Sequence, residues 1–327
     1  MIISRTPLRM SFAGGGSDLP SFYRRFGGAV VSTAISKFVY LTLNEKFDHR
    51  ISISYSRTEE ADTVAEIQHP LVRESLALLK VDGGLEITSI ADIPSKGSGL
   101  GSSSAFTVGL LNALHAFAGR AVGAEQLAKE SCAIELERCG EPIGKQDQYA
   151  AAFGGFNFIA FNEDDSVTVE PIVCQPKTLA QLQQNTLVFY TGISRSASAV
   201  LKNQQEAVAS STAKQDTLKR MVQLARDLRV ELQKDNLSAF GEILHEGWEL
   251  KRSITAEIST GEIDAWYQAA RTAGATGGKL LGAGSGGFLM FYAPQERHAA
   301  IASALPGLRP MPMHFESEGS KIIFVHE

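Results

Sequence analysis

Residues 94–105 read Pro-Ser-Lys-Gly-Ser-Gly-Leu-Gly-Ser-Ser-Ser-Ala, types suited to holding phosphate. Gly97, Gly99 and Gly101 carry no Cβ, so successive backbone N–H groups can turn inward and form a nest for anionic oxygens. A helix starting at the end of such a loop adds the positive end of its dipole. Ser102, Ser103 and Ser104 offer an N-cap and hydroxyls able to reach a phosphate or a Mg²⁺. Phe106, Leu110, Leu111, Leu114 and Phe117 follow with helical spacing, and Gly119 is a natural stop. Upstream, residues 85–90 read as a strand and Pro94 closes the connection. A serine-capped helix start is the plain alternative, but the density of glycine and serine exceeds what a cap needs. A phosphate cradle between a strand and a helix is expected.

Two better-known phosphate motifs fail. A Walker loop needs G-x-x-x-x-G-K-[S/T], and residues 140–146 and 274–280 miss both the spacing and the final hydroxyl. Gly282, Gly284 and Gly287 match a dinucleotide fingerprint by letter. They lead into Phe288-Leu-Met-Phe-Tyr292, which reads as a strand and not a helix, so the Rossmann reading is rejected. Two glycine-rich loops remain beside the cradle, at residues 14–18 (Gly-Gly-Gly-Ser-Asp) and at 282–287. Three such loops with distinct polar sets are expected to converge on one ligand.

These loops need elements to position them. Residues 38–44 and 50–56 have strand character, and helical periodicity appears over 70–79, 103–118 and 123–138. Residues 154–161 and 166–172 read as a hairpin. The polar stretch 174–184 is the best boundary between two domains, 1–175 and 176–327. Beyond it lie a strand at 186–190, helices over 207–234, 237–252 and 263–273, and strands at 287–292 and 321–326. The pattern is α+β in both halves, without the regular alternation of a doubly wound sheet.

At 327 residues the chain can bury a large core. A net charge of −5 argues against nucleic acid as a partner, because such partners favour a basic face. No apolar run approaches membrane-spanning length, and the first residues lack a signal-peptide layout. Cys132, Cys139 and Cys174 form no C-x-x-C pair and are expected to be reduced thiols of a cytoplasmic protein. The histidines are scattered, so a dedicated transition-metal site is not expected. A homodimer is left open.

The three loops, in this order, resemble the motifs of the GHMP small-molecule kinases, whose middle motif has the form P-x-x-x-G-L-G/S-S-S-A. The resemblance spans almost the whole chain. It implies a two-domain GHMP kinase fold: an N-terminal domain like ribosomal protein S5 domain 2 and a ferredoxin-like C-terminal domain, with the site in the cleft. Many sugar kinases of the group carry G-E-H-x-D in the first loop, where this chain has Gly14-Gly15-Gly16-Ser17-Asp18. That departure disfavours galactose. Residues 13–20, 144–149 and 190–195 are similar to the bacterial D-glycero-α-D-manno-heptose 7-phosphate kinases, with fucokinase domains as close cousins. The resemblance implies transfer of the ATP γ-phosphoryl group to the anomeric C1 hydroxyl of a phosphorylated sugar, for nucleotide-activated heptose in capsule or lipopolysaccharide synthesis. A kinase for a free sugar such as L-fucose, and a non-catalytic ATP- and sugar-binding sensor, are the rivals. A decarboxylase relative would need a different substrate loop.

The same resemblance implies the roles of individual residues. Pro94, Gly97, Ser98, Gly99, Leu100, Gly101, Ser102, Ser103 and Ser104 would hold ATP. Ser103 and Glu137 would hold Mg²⁺, with Glu135 and Glu141 as neighbouring carboxylates. Asp147 would orient or deprotonate the acceptor hydroxyl, and Arg9 beside it would offset charge on the transferring phosphoryl oxygens. Gly15, Gly16, Ser17, Asp18 and Gly284 would face the sugar. Arg195 is the substrate-phosphate candidate, with Lys145, Arg24 and Arg25 as further cations, and Lys279 is left between a phosphate contact and a solvated charge.

Overall fold

The computed structural model describes residues 1–94, 97–194 and 197–326. The first half runs β1 (Ile2–Ala13), α1 (Pro20–Phe26), β2 (Gly28–Glu45), β3 (Ile51–Ser54), β4 (Thr58–Ala61), α2 (Pro70–Leu79) and β5 (Leu85–Ala91). It continues with α3 (Ser102–Phe117), α4 (Ala124–Cys132), α5 (Gln146–Phe153), β6 (Phe156–Phe161) and β7 (Val167–Pro171). Next come α6 (Pro176–Gln184), β8 (Thr186–Tyr190), α7 (Ala197–Ala209), α8 (Thr212–Gln233), α9 (Phe240–Arg252) and α10 (Gly261–Thr272). The chain closes with β9 (Gly277–Leu280), β10 (Phe288–Tyr292), α11 (His298–Ala304), β11 (Arg309–Pro310), β12 (Phe315–Glu316) and β13 (Lys321–Val325).

The long β2 is the spine of the first sheet. One edge pairs with β1 from Leu43 back to Val31; the other pairs with β6 over Gly28–Thr33 and with β5 over Val39–Glu45. Both β1 and the first part of β2 are buried on alternate and intervening residues alike. Strands covered on both faces lose the alternation that marks a half-exposed strand, which is why β1 is not apparent in the sequence. Helix α3 packs on this sheet between α2, α4 and α5 and is buried almost all round. Phe117, placed on its apolar face by spacing alone, is exposed.

In the second half, β11, β8, β10 and β9 form a four-stranded antiparallel sheet. At the boundary expected over 174–184, residues 176–184 fold as α6, with Pro at the first turn and Leu182 buried. The single helix expected over 207–234 is two, α7 and α8, because Ser211 caps α8 through its hydroxyl. Strand pairing crosses between residues 1–175 and 176–327: β12 pairs with β2 and β13 with β1. Phe12 of β1 packs edge-on against Phe156, Phe240 and Phe315, at centroid distances of 5.7, 5.4 and 6.2 Å. Aromatic edge contacts of this kind bind the two halves into a shared core.

Candidate active site

The loop before α3 is held by its glycines. Gly101 is the N-cap, at φ +77°, and its backbone passes so close that a Cβ there would sit 3.3 Å from Arg9 Cγ and Asp147 Oδ2. Only glycine meets both conditions without strain. The serines were expected to cap the helix, and they do not. With Gly101 in the cap position, their hydroxyls turn elsewhere: Ser102 bonds Ser98 at 2.9 Å, while Ser103 and Ser104 donate to Glu135 at 3.1 and 2.8 Å. The second and third glycine loops touch backbone to backbone, since a Cβ on Gly282 would lie 2.3 Å from Gly99 Cα.

Arg9 projects from β1 and is buried. Its Nε donates to Asp147 Oδ1 at 2.7 Å and its Nη1 to the Gly99 carbonyl at 2.7 Å. One guanidinium therefore ties the carboxylate at the start of α5 to the phosphate loop, using the planar fork that lysine lacks. Asp18 is buried nearby. Its Oδ1 accepts from the Gly16 N–H at 3.0 Å and its Oδ2 from the Gln146 N–H at 3.3 Å. Burial, and then the charge of Asp147, push its carboxyl above the usual range.

A cavity of about 670 Å³ opens among these groups. Arg9, Asp147, Gly16, Asp18, the loop residues Gly97, Ser98, Gly99 and 101–104, and Gly282 all line it. Among the predicted residues, Leu100 lies behind the wall, buried, with its carbonyl accepting from the Arg9 N–H at 3.0 Å. Pro94 is exposed outside the cavity. Gly15 and Ser17 do not line it. The Ser17 hydroxyl instead donates to the Gly14 and Ala29 carbonyls and stitches the first loop to β2. Gly284 is turned away against the backbone of Ile258, and Gly282 and Ala283 face the cavity in its place. Arg195 lies outside the described residues.

The two glutamates near the expected metal position lie differently from one another. Glu137 is exposed and does not reach the loop. Glu135, two residues earlier, is buried behind Ser103 and Ser104 and also accepts from Gln148 Nε2. A π-helical stretch at Ala133–Arg138 sets this register; an extra residue in the turn shifts which side chain points inward. Burial pushes the Glu135 carboxyl up to about 7, even though its partners are neutral donors that favour the ionised form. A buried carboxylate beside the Ser103 hydroxyl at a phosphate cradle fits a Mg²⁺ that takes its remaining ligands from phosphate and water.

Two lysines are buried here: Lys251, which the sequence reading missed, and Lys279, which it left open. Lys251 of α9 lines the cavity, donates to the Gly282 carbonyl, and has its ammonium pushed down to about 8 by burial and then by Arg9. Lys279 of β9 donates to the Phe12 carbonyl at 3.3 Å and is neither solvated nor on the cavity wall. Lysine on an amphipathic helix ordinarily reads as a solvated charge, so Lys251 does not announce itself. Arg24 and Lys145 are both engaged by Asp165, which they and Tyr23 hold down at about 2. Arg25 lies over the Phe26 ring.

Known proteins place this arrangement. The models for the GHMP kinases N terminal domain and the GHMP kinases C terminal domain match residues 61–155 and 228–307. A D-glycero-alpha-D-manno-heptose 7-phosphate kinase of Campylobacter jejuni is 30% identical over 326 residues, covering 93% of each chain. The chain belongs to the GHMP kinase family. As a GHMP kinase it is a phosphotransferase with an alcohol group as acceptor, and it has the two-domain α+β fold of that family. The crystal structure of a D-glycero-D-manno-heptose 1-phosphate kinase from Bacteroides thetaiotaomicron superposes over all of both chains, with a TM-score of 0.82 and 26% identity. A bifunctional fucokinase/GDP-fucose pyrophosphorylase of Arabidopsis thaliana is 26% identical over 90% of this kinase and 30% of its own length. Kinases of the family use ATP as phosphate donor, generally with Mg²⁺. Among the described residues, no helix of this kinase is long and apolar enough to cross a membrane.

Proposed function

We propose that the protein transfers the ATP γ-phosphoryl group to the anomeric C1 hydroxyl of D-glycero-D-manno-heptose 7-phosphate, giving the 1,7-bisphosphate for nucleotide-activated heptose. The observation that carries this reading is the Arg9–Asp147 pair, set between the phosphate loop and Asp18 in one cavity. The loop 97–104 cradles the polyphosphate with its N–H groups and the start of α3. Ser103 and Glu135 would hold Mg²⁺, which when bound neutralises charge on the phosphate oxygens. Asp147 accepts the proton of the attacking hydroxyl as the new bond forms. Arg9 holds Asp147 in place and faces the negative charge on the transferring group. Asp18 accepts from sugar hydroxyls.

A purely sensing relative could dispense with the Arg9–Asp147 pair, so its presence favours turnover. The heptose relatives support a seven-carbon substrate. Their names differ over whether C1 or C7 already carries phosphate. The test is Mg²⁺- and sugar-dependent ADP release with heptose 7-phosphate, heptose 1-phosphate, fucose, galactose and mannose. Turnover with the 7-phosphate alone supports the assignment. Turnover with the 1-phosphate moves the acceptor to C7, and turnover with a free hexose moves the substrate. ATP binding without any turnover overturns the kinase reading in favour of a sensor.

A further inference from the structure

Gln204 of α7 is fully buried, yet neither its Oε1 nor its Nε2 has a partner among the described residues. Folded proteins rarely leave a buried amide unpaired at both ends, because its lost hydration is not repaid. The residue lines the active-site cavity. It stands against the first glycine loop so closely that a Cβ on Gly16 would lie 2.4 Å from its Nε2. Gly16 sits at φ +97°, so glycine there both permits the turn and leaves room for the amide. From the same place, the Gly16 N–H donates to Asp18.

A second amide faces the same space. Gln146 lines the cavity beside Asp147, its backbone N–H holds Asp18 Oδ2, and its own Oε1 is buried without a partner. A primary amide presents donors and an acceptor side by side. Neighbouring sugar hydroxyls, each able to donate and accept, complement it on both ends, whereas a phosphate would satisfy only its N–H groups. We infer that Gln204 is a specificity-determining residue that bonds hydroxyls of the acceptor sugar opposite Asp18, with Gln146 completing the grip. Recognition thereby draws on α7 of the second half as well as on the first loop. The inference rests on the sugar-kinase reading above and names its hydroxyl-binding residues.

The test replaces Gln204 by Met, which keeps the volume and removes both polar ends, and separately by Ala. Sugar KM should rise roughly 10- to 100-fold, the worth of one or two neutral hydrogen bonds, with ATP KM within about twofold. The melting temperature of Gln204→Met without sugar should equal or exceed that of the parent, because an unpaired buried amide is gone. Singly deoxygenated substrates should include one that weakens the parent and leaves the variants without further loss. Unchanged sugar KM in both variants overturns the role of Gln204 while leaving the kinase assignment intact. A lower melting temperature in both, with unchanged sugar discrimination, makes the side chain structural and also overturns it. Failure of the parent to turn over any sugar brings down the inference together with the reading beneath it.

Discussion

Arg9 and Asp147 are 138 residues apart in the chain and meet at 2.7 Å, while the same guanidinium bonds the Gly99 carbonyl at 2.7 Å. Strand β1, the glycine loop before α3 and the start of α5 are thus joined by one side chain. Arg9 is buried, and Asp147 is about a quarter exposed, towards the cavity. A carboxylate held on one oxygen by a fixed cation keeps its other oxygen available as an acceptor, as the proposed transfer requires.

Asp147→Ala should lower kcat by about 10²- to 10⁴-fold, the usual contribution of a positioned acid–base group. Nucleotide affinity should stay within a few-fold, as read by titration calorimetry. Near-normal turnover would remove Asp147 from the reaction. Arg9→Lys should also lose most activity, since a point charge cannot bond Asp147 and Gly99 together.

The two neighbouring glutamates should separate cleanly. Glu137→Ala should keep nearly full activity, because that side chain is exposed and away from the loop. Glu135→Ala should raise the Mg²⁺ requirement and cut kcat, by about 10²-fold or more. The reverse ranking would return the metal ligand to Glu137.

Glu135 also predicts a pH signature. Its carboxyl gives up its proton near 4.5 in the unfolded chain and near 7 in the folded protein. The folded state therefore binds the extra proton between these values. The stability it contributes is fully present below pH 4.5 and lost as pH rises through 7, at most about 3 kcal/mol. Melting of the metal-free protein should show this fall, and Glu135→Gln should flatten it. Mg²⁺–nucleotide binding should strengthen over the same range with release of a proton. A variant that keeps the parent's pH dependence would assign the titration to another group.

Lys251 should act as a cation at the cavity wall. Its ammonium loses its proton near 8, so its charge is present below that pH and is lost above it. The kcat/KM of the parent should fall on the alkaline side of about 8. Lys251→Met should lower kcat/KM by roughly 10- to 100-fold at pH 7 and abolish that alkaline limb. A pH profile unchanged by the substitution would leave Lys251 with only its Gly282 contact.

Much of this was legible in sequence. Residues 97–104 read as a phosphate loop because such a role rests on backbone N–H groups and small side chains, and local residue type dictates both. Helices such as α2 and α10 were readable because one face is apolar and the other wet, and strand β8 because it is a short run of β-branched and aromatic residues after a polar stretch. Strand β1 was hidden by burial on both faces, and α6 by its polar surface. That Glu135 and not Glu137 is the buried carboxylate was not readable, because the π-helical register that aims it inward comes from packing and leaves no periodic trace.

The chain by itself carried its family in three contiguous glycine-rich motifs, and through that resemblance came the expectation of a phosphate cradle and of Arg9 beside Asp147. Only tertiary structure decided the rest. It turned Ser17 and Gly284 away from the cavity, bound Arg24 and Lys145 to Asp165, and carried Lys251 and Gln204 from distant helices to the wall. Those choices depend on which faces are buried against which. A solvated lysine and a cavity lysine are the same letter until the fold removes one of them from water.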